Sequence, residues 1–342
     1  EYAYFSSYSS SFLNHTKEYV DKMVSKFSLD ENSNVLEVAS NDGYLLNFVK
    51  KLNIKCLGVE PTKSTADVAR SKGLEIIGDF FSTNLAKKIA KDKNTVDLAI
   101  ANNVLAHVPN INDFVKGFYE ILNPEGVATF ENPHLLELAN GKQFDTIYHE
   151  HFSYLSLTSV NEIFKNNGLT IFDVEKIPVH GGSLRYYAQK SDTGRRFISK
   201  RVNALLKEER DAGLTNLAFY RNFQKVAEII RDEFKNFLIE QKNNGKLIAG
   251  YGAAAKGNTL LNFCNISKAL LQFIVDKNPM KQGLYCPGSK IPILDEKKIR
   301  EEKPDFIVIF PWNIKDEIID QLKFTKKWGC KFVVAIPSLS II

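Results

Sequence analysis

The sequence is poor in cysteine and lacks the long apolar runs that mark membrane-spanning helices. Its four cysteines are spread over 342 residues and form no Cys-x-x-Cys pair, so they indicate neither a zinc site nor a disulfide framework. The opening stretch "EYAYFSSYSSSF" has neither the apolar core nor the charge pattern of a signal peptide. These absences predict a protein of a reducing, cytoplasmic compartment that does not enter a membrane.

The sequence also has little excess of one sign of charge over the other. The net charge is +5, from 45 basic and 40 acidic side chains, and the basic residues form no stripe. Nucleic acid is therefore not predicted as a partner. A basic cleft for a phosphorylated ligand would account for the small excess equally well.

The chain is too long for one compact core, and its patterning changes along its length. Short apolar runs alternate with amphipathic segments in residues 1–190 and again in residues 245–342, which is typical of parallel sheets covered by helices. Residues 191–244 are charged, poor in Gly and Pro, and apolar at helical spacing. We predict an α/β protein with two doubly wound, Rossmann-like domains joined by a helical connector. "LTIFDVEKIP" and "SLRYYAQK" should close the first sheet as an antiparallel pair.

Polar residues follow three consecutive predicted strands of the first domain, where doubly wound folds bind nucleotides. Glu37 and Asn41 flank the first turn, in which Gly43 would let the backbone pass close to a ligand. Glu60 could accept two ribose hydroxyls, and Asp79 could reach an adenine amino group. The first turn has one glycine rather than G-x-G-x-x-G, so it serves a pyrophosphate poorly. A ligand with a ribose and an amino acid moiety fits better, and S-adenosylmethionine has both.

The stretch "FDTIYHEHFSYLSL", residues 144–157, concentrates titratable groups, with His149 and His151 on either side of Glu150. A metal site is disfavoured, because the two imidazoles would point to opposite faces of an extended segment and no third ligand motif is nearby. A hydrogen-bonded loop without chemistry stays open. Histidine suits a base because its pKa lies near working pH, so we favour a proton-transfer site.

The second domain offers contacts for an anion. "KLIAGYGAAAKGNTLL" predicts a strand, a glycine turn and a helix start whose amides face outwards, and Lys256 there could pair with a phosphate or be solvated. Asp276, after the strand "LLQFIVD", is placed like a ribose or base contact or a helix cap. "HGGSLR" supplies His180, Ser183 and Arg185. The Arg185 fork suits bidentate phosphate binding, although His180 and Arg185 could instead tie the closing hairpin to the connector.

Six motifs, in this order, resemble the S-adenosylmethionine-dependent nucleotide-sugar C-methyltransferases. They are "EVASNDGYLL", "GVEPT", "NNVLAHVPNINDF", "YHEHFSYLSL", "HGGSLRYY" and "GYGAAAKGNTLL". Enzymes of this family place a methyl branch on a keto-deoxysugar, typically at C3. The resemblance covers nearly the whole chain. It implies a class I methyltransferase fold for the first domain, S-adenosylmethionine as the methyl donor, and a nucleotide-linked keto-deoxysugar as the substrate.

The resemblance also implies roles for single residues. It places the base that forms the enolate at His151, with Tyr148 and Glu150 as its partners. It adds Tyr2, Asn103 and His107 to the active site and Asn102 to the cofactor contacts. In the second domain it adds Gly250 and Tyr251, beside Lys256, to the nucleotide contacts. From the residues alone, Tyr2 could be a packing aromatic, Asn103 a helix cap and His107 a structural histidine.

Family members usually carry a Cys-rich zinc-binding module at the N-terminus. This chain starts at Glu1, where that module would end, so we expect a structural zinc only upstream and no metal in the residues present. Two other functions stay open. One is an NAD(P)-dependent oxidoreductase or epimerase acting on a nucleotide sugar through "GYGAAAKG", although no Tyr-x-x-x-Lys pair follows at helical spacing in a suitable place. The other is a non-enzymatic effector-binding protein with two nucleotide-binding lobes.

Overall fold

The computed structural model describes Ser7 and residues 10–342. Tyr2, predicted as an active-site residue, lies outside the described residues. Contacts divide the chain into two compact units. The first holds the residues up to His134 together with His151–Pro178 and Gly182–Asp211, and the second holds Leu135–Glu150, Val179–Gly181 and Ala212–Ile342. The division therefore falls inside the histidine-rich stretch, between Glu150 and His151.

The first unit is built around a mixed sheet whose strands follow the predicted apolar runs. They are β1 (Asn34–Val38), β2 (Lys55–Val59), β3 (Glu75–Ile77), β4 (Val96–Asn102), β5 (Leu122–Pro133), β6 (Leu169–Ile177) and β7 (Ser183–Lys190). Their order across the sheet is β3-β2-β1-β4-β5-β7-β6. β7 runs antiparallel to β5 and β6, and the other pairs are parallel, which confirms the predicted closing pair. This arrangement is the class I methyltransferase fold that the resemblance implied.

Helices cover the sheet and continue through the connector. In the described residues they are α1 (Ser10–Phe27), α2 (Leu46–Lys51), α3 (Lys63–Ser71), α4 (Thr83–Lys93), α5 (Ile111–Ile121), α6 (Leu135–Asn140), α7 (Leu157–Asn166), α8 (Lys200–Ala212), α9 (Leu217–Arg221), α10 (Phe223–Asn243), α11 (Ala255–Phe263), α12 (Lys297–Glu302) and α13 (Lys315–Gln321). α5 shows why they form. The Asn110 side chain caps its N-terminus by accepting from the Asp113 amide at 3.2 Å, and Phe114 and Phe118 are buried on one face.

Alternating side chains of the first sheet enter two cores, one on each face. Leu36 and Phe130 pack with α5 and α7, whereas Val35 and Tyr187 pack with α1 and α2. A parallel strand covered on both faces needs apolar residues at nearly every position. Glu37 is the exception on β1, since it is a carboxylate that is only 1% exposed.

Gly43 shows how tightly the turn after β1 packs. Its φ is +74°, and a Cβ there would lie 2.2 Å from Leu74 Cδ1 and 3.1 Å from the Ala69 Cβ. The missing side chain therefore has a packing reason that is independent of the ligand approach predicted from the sequence. Packing against α3 and the segment before β3 requires it, whatever binds nearby.

We expect Gly43→Ala to lower the free energy of unfolding by about 2–4 kcal/mol, from the left-handed backbone and the overpacked core together. Gly245→Ala is the matched control, because Gly245 has φ +71° and open space where its Cβ would lie. That variant should lose only about 1 kcal/mol. Urea titration measures both. Equal losses would show that Leu74 moves aside at no energetic cost.

The second unit repeats the doubly wound pattern. Its strands are β8 (Ile248–Tyr251), β9 (Phe273–Val275), β10 (Ile293–Leu294), β11 (Phe306–Ile309), β12 (Lys331–Val334) and β13 (Ser340–Ile341). They lie in the order β10-β9-β8-β11-β12-β13, all parallel except β13. α10 buries Phe234 and Phe237 in the core of this unit. Within the part of the chain that the structure describes, no helix combines the length and apolar character needed to cross a membrane.

Candidate functional site

The turn after β1 and the end of β2 form a buried polar edge of the first unit. Ala39 and Asn41 both have positive φ, which turns the chain sharply at the carboxyl end of β1. Glu60, 5% exposed, accepts from the amides of Asn41 and Thr62, each at 2.9 Å, one on each carboxylate oxygen. Each oxygen keeps further acceptor capacity. Glu60 thus shapes the turn and still has lone pairs to offer a ligand.

Several buried oxygens at this edge and at the end of β4 have no hydrogen-bond partner among the described residues. They are Glu37 Oε2, Ser40 Oγ, Asp42 Oδ1, Asn102 Oδ1 and Asn103 Oδ1. Buried polar atoms are rarely left unpaired, and all five of these can accept a hydrogen bond. A ligand rich in N–H and O–H donors would satisfy them. S-adenosylmethionine carries ribose hydroxyls and an ammonium group, whereas a pyrophosphate carries only acceptors, so the residues present fit the former.

The charge at this edge favours a cation. Burial raises the pKa of Glu37 well above its ordinary value, and the neighbouring carboxylates of Asp42 and Glu60 raise it further. Lys72 compensates in part, since its ammonium lies 2.6 Å from the Asp42 carbonyl and 3.4 Å from its carboxylate. Three carboxylates gathered around one turn suit a ligand with positive charge, as the sulfonium and ammonium of S-adenosylmethionine provide.

The loop after β3 exposes an aromatic ring that the sequence analysis did not single out. Asp79, predicted to reach an adenine, is exposed, and its carboxylate accepts from the Phe80 amide at 2.7 Å. Phe80 is 77% exposed, which is unusual for so large an apolar side chain. The sequence feature that could have indicated Phe80 is its position directly after Asp79 in "GDF".

Two loops of the first unit bring histidines together. Asn103 has φ +56°, and its amide donates to the Glu131 carbonyl at 2.7 Å, which turns the chain into the short helix Leu105–His107. The amides of Phe152 and Ser153 both donate to the Ala106 carbonyl, at 2.8 and 3.2 Å. These hydrogen bonds join the loop after β4 to the segment that begins at His151.

This backbone pairing brings the side-chain rings of the two loops close together. The His151 centroid lies 4.8 Å from that of His107 and 5.7 Å from that of Tyr154, both edge-on. His151 and His107 are both half-buried, whereas His149 is exposed. Tyr154, next to the predicted catalytic set in sequence, is the member that sequence reasoning left out. Tyr148 and Glu150 belong to the second unit, where both are half-buried.

A buried hydrogen-bonded pair that the sequence did not indicate supports the end of this segment. His134 Nε2 lies 2.7 Å from Glu209 Oε1, and neither side chain is exposed. Glu209 also accepts from the Leu157 and Thr158 amides, at 2.6 and 2.8 Å, at the N-terminus of α7. Burial alone would raise the pKa of Glu209, but these donors hold it below its ordinary value. Glu209 comes from α8, which the sequence shows only as part of a charged connector.

Arg185, the predicted phosphate contact, already has carboxylate partners in the first unit. Its Nε donates to Glu131 Oε1 at 2.6 Å, and another nitrogen lies 3.3 Å from Glu175. The Arg185 side chain is 5% exposed, and its guanidinium carbon lies 4.8 Å from the centre of the Tyr19 ring. Burial would raise the pKa of Glu131, but His15 and Arg185 hold it below its ordinary value. The ion pairs favour the structural alternative for Arg185, and Ser183 beside it is buried.

Arg185 also lines a cavity of about 670 Å³ in the first unit. α1, α8 and the end of β6 form its walls. The cavity carries both signs of charge, with Lys22 and Arg201 near Glu175. These cations are already paired with carboxylates, so the described lining of the cavity offers no unbalanced positive charge that would support the predicted phosphate contact at Arg185.

The glycine turn of the second unit is packed by its own residues. A Cβ on Gly250 would lie 2.7 Å from the Phe310 ring, and one on Gly252 would lie 2.5 Å from Pro311. The glycines are therefore explained without a pyrophosphate. Asp276 accepts from the Ala253 and Asn278 amides, both at 2.8 Å, so it fixes this turn in the manner of a cap. The Tyr251 hydroxyl donates to Glu296, and its oxygen lies 3.2 Å from Gln321 Oε1.

Lys256 lies at the start of α11, half-buried, with its ammonium 3.0 Å from Asn313 Oδ1 and 4.4 Å from the centre of the Trp312 ring. His180 sits on the turn Val179–Gly181 of the same unit, with φ +56°. In the described ranges, no group of three or more His, Cys, Asp or Glu side chains could hold a metal ion.

Two family profiles match the chain in succession. A profile described as a methyltransferase domain matches residues 12–174, and one described as a C-methyltransferase C-terminal domain matches residues 178–337. Among curated proteins, C-methyltransferase NovU of Streptomyces niveus is 34% identical over 341 residues, covering 100% of this chain and 81% of that protein.

Solved structures also resemble part of the chain. The PH0226 protein of Pyrococcus horikoshii has 18% identity and a TM-score of 0.44, over 55% of this chain and 95% of that one. Magnesium protoporphyrin IX methyltransferase of Synechocystis has 13% identity and a TM-score of 0.43, over 52% of this chain and 83% of that one.

Proposed function

Since this chain belongs to the family of S-adenosylmethionine-dependent C-methyltransferases, we propose that it adds a methyl group at C3 of a 4-keto-deoxysugar carried on a nucleotide. The observation that carries the proposal is the His107–His151 pair, 4.8 Å between ring centroids, joined to the carboxyl end of β4 by backbone hydrogen bonds. Ligands of doubly wound sheets bind at this edge. This position supports His151 as a base on the same sheet edge as the proposed cofactor site.

The proposed cofactor contacts are the residues of the polar edge. Glu60 would accept from the ribose hydroxyls, and Glu37, Asn41 and Asn102 would surround the amino acid moiety. Asp79 would meet the adenine amino group, with the exposed Phe80 ring stacked on the base. When bound, S-adenosylmethionine supplies an electrophilic methyl group on a positively charged sulfur.

The chain's own task is to make the sugar carbon nucleophilic. A hydrogen beside a ketone is acidic, and the His151 imidazole would remove it from C3. The electron pair of that C–H bond then becomes the C3–C4 double bond, and the charge moves to the ketone oxygen. Tyr148 would donate a hydrogen bond to this enolate oxygen, and Glu150 would stabilise the imidazolium.

The remaining predicted residues complete the proposed site. Asn103 and His107 would hold the sugar beside His151, and the resemblance adds Tyr2 to them. In the second unit, Lys256 would pair with the diphosphate of the nucleotide, near Gly250, Tyr251 and His180. Arg185 and Asp276 would act through their neighbours, because their side chains already have partners in the protein, whereas Ser183 stays a proposed substrate contact.

Incubation with S-adenosylmethionine and a panel of 4-keto-deoxysugars on dTDP, GDP and CDP tests this function. Mass spectrometry should show the gain of one methyl group on one of them, and NMR should place it at C3. The same sugars reduced to the 4-hydroxy form are the matched control and should stay unmethylated, since they cannot form an enolate. Methylation of the reduced sugars, or transfer to oxygen, would contradict the proposal.

A further inference from the structure

The Trp312 indole lies at the centre of a polar cluster in the second unit, formed by Asp145, Lys256, Trp312 and Asn313. The indole N–H donates to Asp145 Oδ2 at 2.7 Å. On its face, the Lys256 ammonium lies 4.4 Å from the ring centroid and donates to Asn313 Oδ1 at 3.0 Å. One aromatic ring thus links a carboxylate at its edge to a cation over its face.

The surroundings of the Trp312 cluster hold the indole in place. A Cβ on Gly181 would lie 2.5 Å from the Trp312 ring, so the turn Val179–Gly181 packs directly on it. The Gln143 amide donates to the Gly181 carbonyl at 2.7 Å and ties that turn to the segment that carries Asp145. The Phe144 ring lies 5.1 Å from that of Phe263 at the end of α11. Three motifs that are distant in sequence are therefore fixed around one side chain.

The Asp145 carboxylate is buried, and only one of its two oxygens has a hydrogen-bond donor among the described residues. It is 1% exposed; the indole occupies Oδ2, and Oδ1 has no hydrogen-bond partner among the described residues. Burial raises the pKa of Asp145 to about 6, against the opposing pull of Lys256 and Trp312. Such a carboxylate destabilises the fold once it ionises. When ionised, however, the Asp145 carboxylate provides a negative charge that interacts with the Lys256 ammonium.

We propose that Asp145 and Trp312 are positioning residues for Lys256, and that they hold its ammonium charged and oriented to receive a phosphate of the substrate. The inference rests on the proposed function, which assigns Lys256 to the nucleotide diphosphate. Asp145 is enclosed and Lys256 only half-buried, so an arriving anion meets the cation first. The indole face stabilises the cation, because its ring quadrupole attracts positive charge.

Both partners act on the charge of Lys256. Burial lowers the pKa of Lys256, and the Asp145 carboxylate opposes that shift. Without Asp145, the ammonium loses the charged group that balances its burial, and without the indole N–H the carboxylate loses its anchor. In either case Lys256 should bind an anion less well, while the cofactor edge of the first unit is unchanged.

Calorimetric titration with dTDP tests the proposal in the full chain. We expect Lys256→Met, Asp145→Asn and Trp312→Phe each to weaken dTDP binding about tenfold or more, while S-adenosylmethionine binding stays at the parent value. With keto-sugar substrate, Asp145→Asn should raise KM and leave kcat nearly unchanged. Asp305→Asn is the matched control, because Asp305 pairs with Lys246 at the surface of the same unit and should not affect dTDP.

Stability separates positioning from a purely structural role. The charged group facing Asp145 is Lys256 on α11, with Trp312 neutral and His180 on the turn that packs against it. A carboxyl whose pKa is raised in the fold destabilises it as pH rises through that range. Asp145→Asn should therefore match or exceed the parent Tm at about pH 8, and this difference should vanish below about pH 4. If Asp145 had a purely structural role, Asp145→Asn would have a lower Tm than the parent at both pH values.

Two results would overturn the inference. Parent-like dTDP binding in Asp145→Asn and Trp312→Phe, with binding lost in Lys256→Met, would leave Lys256 as a contact that needs no positioning. Parent-like binding in Lys256→Met would remove both the inference and the diphosphate role of Lys256. A failure of the proposed function looks different, because the parent itself would then bind S-adenosylmethionine but not dTDP, GDP or CDP.

Discussion

Replacing His151 by Asn is expected to lower kcat for methyl transfer by about 10²–10⁴-fold, because an amide side chain at this position cannot take the C3 proton. Asn preserves the size and polarity of the side chain, and the amides of Phe152 and Ser153 can still donate to the Ala106 carbonyl. S-adenosylmethionine affinity, measured by calorimetry, should therefore stay within about twofold of the parent, since the acceptors of the cofactor edge are unchanged.

His149→Asn is the matched control for this experiment. His149 is two residues away in the same stretch but exposed, so its loss should change kcat by less than about threefold. His107→Asn should fall between the two, because its ring contacts that of His151 and would position the sugar without taking the proton. Near-parent turnover in His151→Asn, with the enzyme folded, would remove His151 as the base.

The largest effect on stability is expected from Glu209→Ala. Removing this carboxylate leaves the His134 ring and the amides of Leu157 and Thr158 buried without their acceptor. A buried donor left without its acceptor costs about 1–3 kcal/mol, and because three groups lose theirs here we expect a total loss of about 3–5 kcal/mol. Urea unfolding, with activity followed in parallel, measures the loss. Because the carboxylate lies at the N-terminus of α7, the variant also loses a favourable interaction with the helix dipole.

Glu208→Ala provides the control on the adjacent residue. Glu208 is half-exposed and pairs with Lys176 at 2.6 Å on the surface, so its removal should cost less than about 1 kcal/mol. The pH dependence adds a second check. The pKa of Glu209 is lowered in the fold, so its contribution is complete above the ordinary carboxyl range and is lost as pH falls through the folded value. A parent and a Glu209→Ala variant of equal stability at neutral pH would contradict the assigned network.

Most of the architecture was predictable because apolar periodicity records which side of an element is buried. The alternation of strands and helices, the antiparallel closing pair and the second doubly wound sheet were all predicted and are confirmed. The glycines show the limit of this reasoning. Gly43 and Gly250 looked like sites of ligand approach, yet the structure fills the space beside them with Leu74 and Phe310.

By itself, the sequence determined the fold class and the family, because hydrophobic patterning and ordered motifs are local properties of the chain. The tertiary structure decided which polar groups meet. Trp312 and Asp145 are 167 residues apart, His134 and Glu209 are 75, and Glu131 and Arg185 are 54. A buried charge or indole N–H must find a partner to offset its desolvation, and a linear pattern does not specify where in the chain that partner lies.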